Sequence, residues 1–469
     1  MGKLWYNGTV KEYARSWAVQ RPSCRRSGAM AGKSHYKKER DVFLFGTQDT
    51  YIMEKILING GKPLVGEIET SGMKNAALPI IFGCLLVKDR CVIENLPEID
   101  DVEVSLQILQ DMGAKIDRID RTTYAIDATK VRGGCSSLEL VRRLRASYYL
   151  LGAEIGRYGK AYVGSPGGCD FGCRPIDQHI KGFEALGCTV RMDGSYVEAV
   201  AQDGLKGTTI FFDLVSVGAT MNVMLAAVCA PGTTVIENAA REPHIVDLAN
   251  FLNTCGARIS GAGTDTIKIK GVDSLHGCTY AIIPDMIEAG TYMIAAAATG
   301  GRLKITNVIP RHLESITSKL CEMGVTVIEG DDYVEVFLEK KLTRTNVKTL
   351  PYPGFPTDMQ PQMAVLMCLA EGISNMHESV FDNRFRYTEE LIRMGALIKV
   401  SGKTAIIEGK PKLSPARVRA VDLRAGAAMV LAGLATEGVT EIDNVRLIER
   451  GYDDLVGKLQ RCGADIRKE

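Results

Sequence analysis

The sequence predicts an α/β protein assembled from about six copies of one unit, grouped as two lobes of three. Three observations carry this reading. Six times a helix-like apolar run closes on an apolar residue and then a glycine, at Gly113, Gly187, Gly256, Gly324, Gly395 and Gly463. A strand-like stretch follows each one, as in Gly113-Ala114-Lys115-Ile116-Asp117 or Gly463-Ala464-Asp465-Ile466, so each glycine reads as the left-handed stop of a helix. The intervals between them, 74, 69, 68, 71 and 68 residues, mark an internal repeat. Within units a second, more apolar helix ends in another small-residue turn, as at Leu151-Gly152, Ala230-Pro231-Gly232, Thr299-Gly300-Gly301, Glu371-Gly372 and Glu437-Gly438. Because an isolated two-helix unit cannot cover its own apolar faces, the units group into lobes, which overrides the count of about three domains that length alone suggests.

Along the chain, residues 1–52 stand apart. Arg21, Arg25, Arg26, Lys33, Lys37, Lys38 and Arg40 sit among Ser and Gly with few acids and no apolar period, which reads as a basic extension outside the fold, disordered or not native, with a transit-type leader as the alternative. Met53 opens the first strand-like segment, Ile56-Leu57-Ile58-Asn59-Gly60-Gly61. The first helix of successive units starts after Ser71-Gly72-Met73-Lys74-Asn75, Arg142-Arg143-Leu144-Arg145-Ala146-Ser147, Val215-Ser216-Val217-Gly218, Pro284-Asp285-Met286-Ile287-Glu288, Phe355-Pro356-Thr357-Asp358 and Asp422-Leu423-Arg424-Ala425. The second starts after Asp100-Asp101, the stretch from Cys169 to His179, Arg241-Glu242-Pro243-His244, Asn383-Arg384-Phe385 and Glu449-Arg450-Gly451.

Composition narrows the function. The chain has 57 basic and 56 acidic residues and a net charge of +1, so it lacks the general cationic surface of nucleic-acid proteins, and any cationic site must be local. Thirteen cysteines are scattered, many inside apolar runs (Cys84, Cys229, Cys255, Cys321, Cys368, Cys462), with no Cys-x-x-Cys pair; this is reduced, cytosolic usage, and the spacing predicts no metal site. No uninterrupted apolar stretch approaches the roughly 18 residues of a membrane span.

Function gathers at the helix starts, where orphan N–H groups and the positive dipole end can hold an anion. Asp, Ser and Asn there are ordinary caps. Cations are not, because they oppose the dipole; Lys74, Arg145, Arg174, Arg384, Arg424 and Arg450 at matching repeat positions point to loops of both lobes converging on a small, multiply charged anion. The densest stretch is Pro166-Gly167-Gly168-Cys169-Asp170-Phe171-Gly172-Cys173-Arg174-Pro175-Ile176-Asp177-Gln178-His179. Cys169 sits on a glycine-rich loop near an arginine and a helix start, an environment that favours thiolate, and Cys173 is its rival four residues on. From the residues alone, His179 is either part of this site or a satisfied interior histidine, and Asp358 is either a cap or a cleft carboxylate.

Ser71-Gly72-Met73-Lys74-Asn75-Ala76-Ala77-Leu78-Pro79, Arg145-Ala146-Ser147, Pro166-Gly167-Gly168-Cys169, Arg174-Pro175-Ile176-Asp177, Phe355-Pro356-Thr357-Asp358-Met359-Gln360, Asn383-Arg384-Phe385, Asp422-Leu423-Arg424-Ala425 and Arg450-Gly451-Tyr452 together closely resemble the UDP-N-acetylglucosamine 1-carboxyvinyltransferase family of enolpyruvyl transferases, from about residue 53 to the C-terminus. The resemblance implies a fold of two lobes, each with three βαβαββ-type repeats and the active site in the interlobe cleft. One lobe is residues 74–284 with the cysteine loop, the other 53–73 plus 285–469. It implies transfer of enolpyruvyl from phosphoenolpyruvate to the 3'-hydroxyl of UDP-N-acetylglucosamine with release of phosphate, the first committed step of peptidoglycan synthesis and so of cell-wall biogenesis, cell shape and division. No cofactor or metal is implied; the partners are the two small substrates, with no nucleic acid and no membrane insertion, in the cytoplasm.

By the same resemblance, phosphoenolpyruvate is held by Lys74, Asn75, Arg145, Arg174, Arg424 and Arg450. The UDP-sugar touches Asn75, Arg145, Arg174, Pro175, Ile176, Asp177, Gln178, Ser216, Val217, Asp358 and Val380. Lys74, Asp358 as the base for the 3'-hydroxyl, and Cys169 as the proton donor alkylated by fosfomycin are the catalytic residues, with Glu242, Arg384 and Asp422 in support. Cys173 and Met73 depart from the alanine or proline expected there. The related 5-enolpyruvylshikimate-3-phosphate synthases share fold and donor but lack the Pro-Gly-Gly-Cys loop thiol. A non-catalytic UDP-sugar-binding paralogue is the other alternative, and the intact charged positions oppose it.

Overall fold

In the computed structural model the described residues are 54–134, 137–164, 176–193, 196–410 and 412–469. The basic extension 1–52 lies outside them. Among the described residues, six small sheets carry the strands, five of four strands and one of three. The four-stranded sheets repeat one pattern: an edge strand parallel to its neighbour, then two antiparallel partners. Thr209–Phe211 runs parallel to Thr233–Glu237, which pairs antiparallel with Thr266–Lys270, itself antiparallel to Arg258–Ser260. Val65–Glu69, Arg302–Thr306, Tyr333–Leu338 and Val325–Glu329 follow the same order. Alternate residues of Thr233–Glu237 and Thr266–Lys270 are buried, as expected for small sheets packed on one face.

The six glycine stops all have positive φ, between 86° and 103°. At Gly113 the amide donates to the Gln110 carbonyl (2.9 Å) and the Ala114 amide to that of Leu109 (2.9 Å), closing a Schellman turn that only glycine enters without strain. The same pair of bonds recurs at Gly187, Gly256, Gly395 and Gly463.

Two kinds of helix alternate. Val217–Ala227, Met286–Thr299, Gln360–Leu369 and Leu423–Leu434 are buried on nearly every side and form the centres of the cores. Asp100–Asp111 and Glu314–Glu322 are amphipathic and lie outside. Where inner helices meet closely, small residues allow it. The Gly152 amide donates to Asn222 Oδ1 (2.9 Å), and a side chain on Gly152 would overlap the Asn222 backbone.

Three sheets are completed out of chain order, that of Val65–Glu69 with Arg302–Thr306 being one. Lys55–Gly60 pairs with Gly438–Asp443 and Ile466–Lys468, whereas Thr279–Ala281 closes the sheet of Arg90–Glu94. Three sheets therefore draw on strands between residues 90 and 281, and the other three on 55–69 plus 302–468. The connections between the two sets run side by side: Gly72 bridges Pro284, the Met73 amide donates to the Ile283 carbonyl (2.7 Å) and the Asp285 amide to that of Ser71 (2.9 Å). A Cβ on Gly72 would collide with the Asn95 carbonyl, so glycine is required at this crossing. Both sets of sheets thus meet beside the starts of the helices Lys74–Gly83 and Met286–Thr299.

Candidate active site

Lys74 is the first residue of a buried helix, Lys74–Gly83, whose N-terminus has no side-chain cap. Its ammonium lies 2.7 Å from Asp101 Oδ2. Asp101 stands in the first turn of Asp100–Asp111, where the helix dipole favours a negative charge. From the far end of the chain, Arg450 reaches the same carboxylate, with Nε 3.0 Å from Oδ1 and Nη2 3.3 Å from Oδ2. Burial pushes the Asp101 pKa up, but Lys74 and Arg450 outweigh it and hold the carboxyl below its usual range.

A second carboxylate gathers two more cations. Arg424 Nε and Nη2 stand 3.3 and 3.2 Å from Asp358 Oδ2, and Arg384 Nη2 is 3.7 Å from Asp358 Oδ1. Arg424 is placed by its own helix start: Asp422 Oδ1 accepts the amides of Arg424 (2.8 Å) and Ala425 (2.9 Å), capping Leu423–Leu434. The Arg424 guanidinium lies 5.3 Å over the Tyr452 ring, a cation–π contact, and its Nη1 has no hydrogen-bond partner among the described residues. Burial alone would lower the Arg424 pKa; Tyr452, Asp358 and Asp285 reverse this, so the group stays charged. For Asp358, burial pushes up and Arg424, Arg384 and Lys74 pull down, the balance lying at about 2. Gly451, between Arg450 and Tyr452, lies against Lys74, where an added Cβ would stand 3.3 Å from Lys74 Cδ, so the two clusters are neighbours.

Arg145 belongs with a second set. It opens the turn Arg145–Tyr148, and its charge, after burial, helps hold His179 at about 4. His179 lies against Tyr148 (ring centroids 6.1 Å apart) and the first turn of Val217–Ala227, where a Cβ on Gly218 would stand 2.8 Å from His179 Nε2. It is half-buried there, and its Nδ1 has no hydrogen-bond partner among the described residues. Ser216 caps that helix by accepting the Ala219 amide at 3.3 Å, with Val217 half-buried beside it. Ile176 is buried and Asp177 exposed at the start of Asp177–Ala185. Gln178 is committed internally: its Nε2 donates to Asp177 Oδ2 (2.8 Å) and Asp213 Oδ2 (3.3 Å), and its Oε1 accepts the Asp213 amide (2.9 Å).

Glu242 accepts the Tyr352 amide at 3.3 Å, and burial pushes its pKa up. Its Oε2 has no partner among the described residues. Val380 is 41% exposed on a turn whose amide is held by Glu378. Asn75 is half-buried next to Lys74. Cys169, Cys173, Arg174 and Pro175 lie outside the described residues.

The fold therefore sets Lys74, Arg384, Arg424, Arg450 and Asp358 close together, and His179 beside Tyr148 and Gly218, next in the chain to Ser216 and Val217, where the charges of Arg145 and Asp177 act on it. Sequence reasoning did not find Asp101 as a member. Its only signal was a helix-start Asp-Asp pair, indistinguishable from a cap until Lys74 and Arg450 are seen on either side. Tyr452 stood out only as part of a motif, and its place under Arg424 needed the structure.

Known proteins resemble this arrangement over nearly its whole length. The family model of EPSP synthase (3-phosphoshikimate 1-carboxyvinyltransferase) matches residues 58–459. UDP-N-acetylglucosamine 1-carboxyvinyltransferase 3 of Caldanaerobacter subterraneus subsp. tengcongensis is 55% identical over 414 residues, 88% of this chain and 99% of that protein. UDP-N-acetylglucosamine 1-carboxyvinyltransferase 2 of Clostridium acetobutylicum is 54% identical over 418 residues, 89% of this chain and all of that protein (100%). Among solved structures, the enolpyruvyl transferase NikO from Streptomyces tendae matches with a TM-score of 0.80 at 29% identity, covering 89% of this chain and 99% of that one. The EPSP synthase of Acinetobacter baumannii, at a TM-score of 0.68 and 19% identity over 89% of this chain and 100% of its own, shares the fold.

Proposed function

The chain belongs to the EPSP synthase (3-phosphoshikimate 1-carboxyvinyltransferase) family, and within it to the UDP-N-acetylglucosamine 1-carboxyvinyltransferases; from that premise we propose that it transfers the enolpyruvyl group of phosphoenolpyruvate to the 3'-hydroxyl of UDP-N-acetylglucosamine and releases phosphate. The observation that carries the reading is the cationic group. Lys74 and Arg450 flank Asp101, and Arg424 and Arg384 flank Asp358, so cations from several helix starts stand close together. A donor with a phosphate and a carboxylate finds several cationic partners here, and charge-assisted hydrogen bonds of roughly 1.5 to 3 kcal/mol each hold it in place.

The chemistry needs a base for the 3'-hydroxyl and an acid for the methylene carbon. Asp358 serves as the base. With Arg424 and Arg384 on its carboxylate, at a pKa of about 2, it is a poor one. When the donor's anionic groups compete for those guanidiniums, the carboxylate loses stabilising charge and its pKa rises, so base strength develops only with substrate present. The hydroxyl oxygen then bonds to C2 of the enolpyruvate while Cys169 delivers a proton to C3. The resulting ketal loses a proton from its methyl group and expels phosphate. Arg145 and Arg174 complete the donor site. Asn75, Pro175, Ile176, Asp177, Gln178, Ser216, Val217 and Val380 face the UDP-sugar, with Gln178 contributing through the position of Asp177. Asp422 positions Arg424, and Glu242 supports the cleft.

The two lobes are 74–284 and 53–73 with 285–469, and the side-by-side crossing at Gly72 and Pro284 supports that division. Placement in the cytoplasm, a role in cell-wall synthesis with its consequences for cell cycle and division, and inactivation by fosfomycin at Cys169 belong to the same proposal. Phosphate release from phosphoenolpyruvate tests it. Release that requires UDP-N-acetylglucosamine is expected; release that requires shikimate 3-phosphate, or none with either acceptor, overturns it.

A further inference from the structure

Cysteines that the sequence scatters are gathered by the fold at one point away from the charged cleft. Cys91 lies in Arg90–Glu94, and the Val92 amide donates to the Cys278 carbonyl (2.8 Å). Thr279 pairs with Val92 in a parallel ladder, so Cys278 stands beside Cys91 on the same face of the sheet. Cys255 comes to this face as the C-terminal cap of the helix Pro243–Thr254. The sulfurs of Cys91, Cys255 and Cys278 all lie within 4.8 Å of one another, with 3.3 Å between Cys255 and Cys278. Cys84, which opens the turn after Lys74–Gly83, is near enough to Cys91 and Cys278 for them to raise its pKa. Four segments therefore deliver four thiols to one sheet–helix interface. Cys84, Cys91 and Cys255 are buried, and Cys278 is half-buried, which provides an entry path.

We propose that Cys91, Cys255 and Cys278, with Cys84 as the fourth sulfur, form a structural thiolate site for Zn2+ that ties the sheet of Arg90–Glu94 to the helices beneath it. Four sulfurs bound at about 2.3 Å in a tetrahedron stand about 3.8 Å apart. The Cys255–Cys278 separation of 3.3 Å is somewhat shorter and no separation among the three sulfurs exceeds 4.8 Å, so seating the ion among these three requires only small side-chain adjustments. The three-cysteine group contains no histidine or carboxylate, and an all-sulfur set selects a soft ion. Each thiol that ligates releases its proton to solvent, so uptake liberates protons and weakens as pH falls. The sequence expectation of no metal site rested on spacing along the chain, which does not register ligands from separate segments.

The experiment uses the full chain, prepared with reductant, equilibrated with Zn2+ and dialysed. One Zn2+ per chain more than in Cys278→Ser is expected, together with a higher thermal midpoint that Cys278→Ser does not share. X-ray absorption of the Zn2+-loaded wild-type chain, which needs no variant to fold, should show a shell of three or four sulfurs. A nitrogen/oxygen shell, equal metal content in wild type and variant, or a Cys255–Cys278 disulfide in the reduced preparation would overturn the proposal.

Discussion

Replacing Asp101 by Asn removes the negative charge that Lys74 and Arg450 share, at 2.7 and 3.0 Å, while keeping the side chain's size and one acceptor oxygen. Breaking a buried ion pair from one side costs about 3 to 5 kcal/mol. The retained amide oxygen accepts one neutral hydrogen bond, so a loss of about 2 to 4 kcal/mol is expected. Urea denaturation of the ligand-free chain at neutral pH reads this loss. Because the partners lower the Asp101 pKa, its contribution is complete above the ordinary carboxylate value of about 3.9 and fades as pH falls through the folded value. Wild type and Asp101→Asn should therefore converge toward acid pH. With that negative charge removed, phosphoenolpyruvate or inorganic phosphate should raise the variant's urea midpoint by more than that of wild type. Turnover should fall about 10- to 100-fold, equivalent to about 1.4 to 2.7 kcal/mol of misplaced binding. An unchanged midpoint at neutral pH together with unchanged turnover would refute the reasoning, since Lys74 and Arg450 would then be held by something other than this carboxylate.

Other substitutions test separate parts of the molecule. Cys169→Asp should keep some turnover, because a carboxyl still delivers a proton, yet resist fosfomycin because it is a poor epoxide nucleophile; continued inactivation, followed by mass spectrometry, would redirect attention to Cys173. Gly152→Ala would set a Cβ 2.9 Å from the Asn222 Cα and press two inner helices apart, with an expected cost of about 1 to 3 kcal/mol in chemical denaturation; a smaller loss would mean the helices separate freely. Asp247 is raised to about 6 by burial, partly offset by the bond from the Tyr280 hydroxyl (2.6 Å) and the Ile283 amide. Its folded pKa exceeds the unfolded value of about 3.9, so the stability it contributes is present below that value and is lost as pH rises through about 6. Across that window wild type should lose about 2 to 3 kcal/mol relative to Asp247→Asn, and parallel stability–pH curves for the two would contradict the assignment.

The repeat was legible because its cause is local. A helix that stops in a left-handed turn needs glycine at that residue, and the positive φ at Gly113 and its five counterparts follows from the same backbone constraint that exposed them in the sequence. The buried inner helices were legible from their unbroken apolar character, and Lys74, Arg384, Arg424 and Arg450 from the oddity of a cation at a helix start. The cysteine loop was legible as a motif. Pairing was not. Asp358 read equally well as a cap, and its place between Arg424 and Arg384 depends on three helix starts meeting.

By itself, then, the sequence determined the unit, its copy number, the helix ends and the sign of charge gathered at them, because dihedral preference and apolar periodicity act within a few residues of their cause. Only the tertiary structure decided that Asp101 sits between Lys74 and Arg450, that Tyr452 underlies Arg424, and that Cys84, Cys91, Cys255 and Cys278 converge. Coulombic and sulfur contacts act over a few ångströms of space, and residues far apart in the chain come within that range only once the sheets and helices have packed.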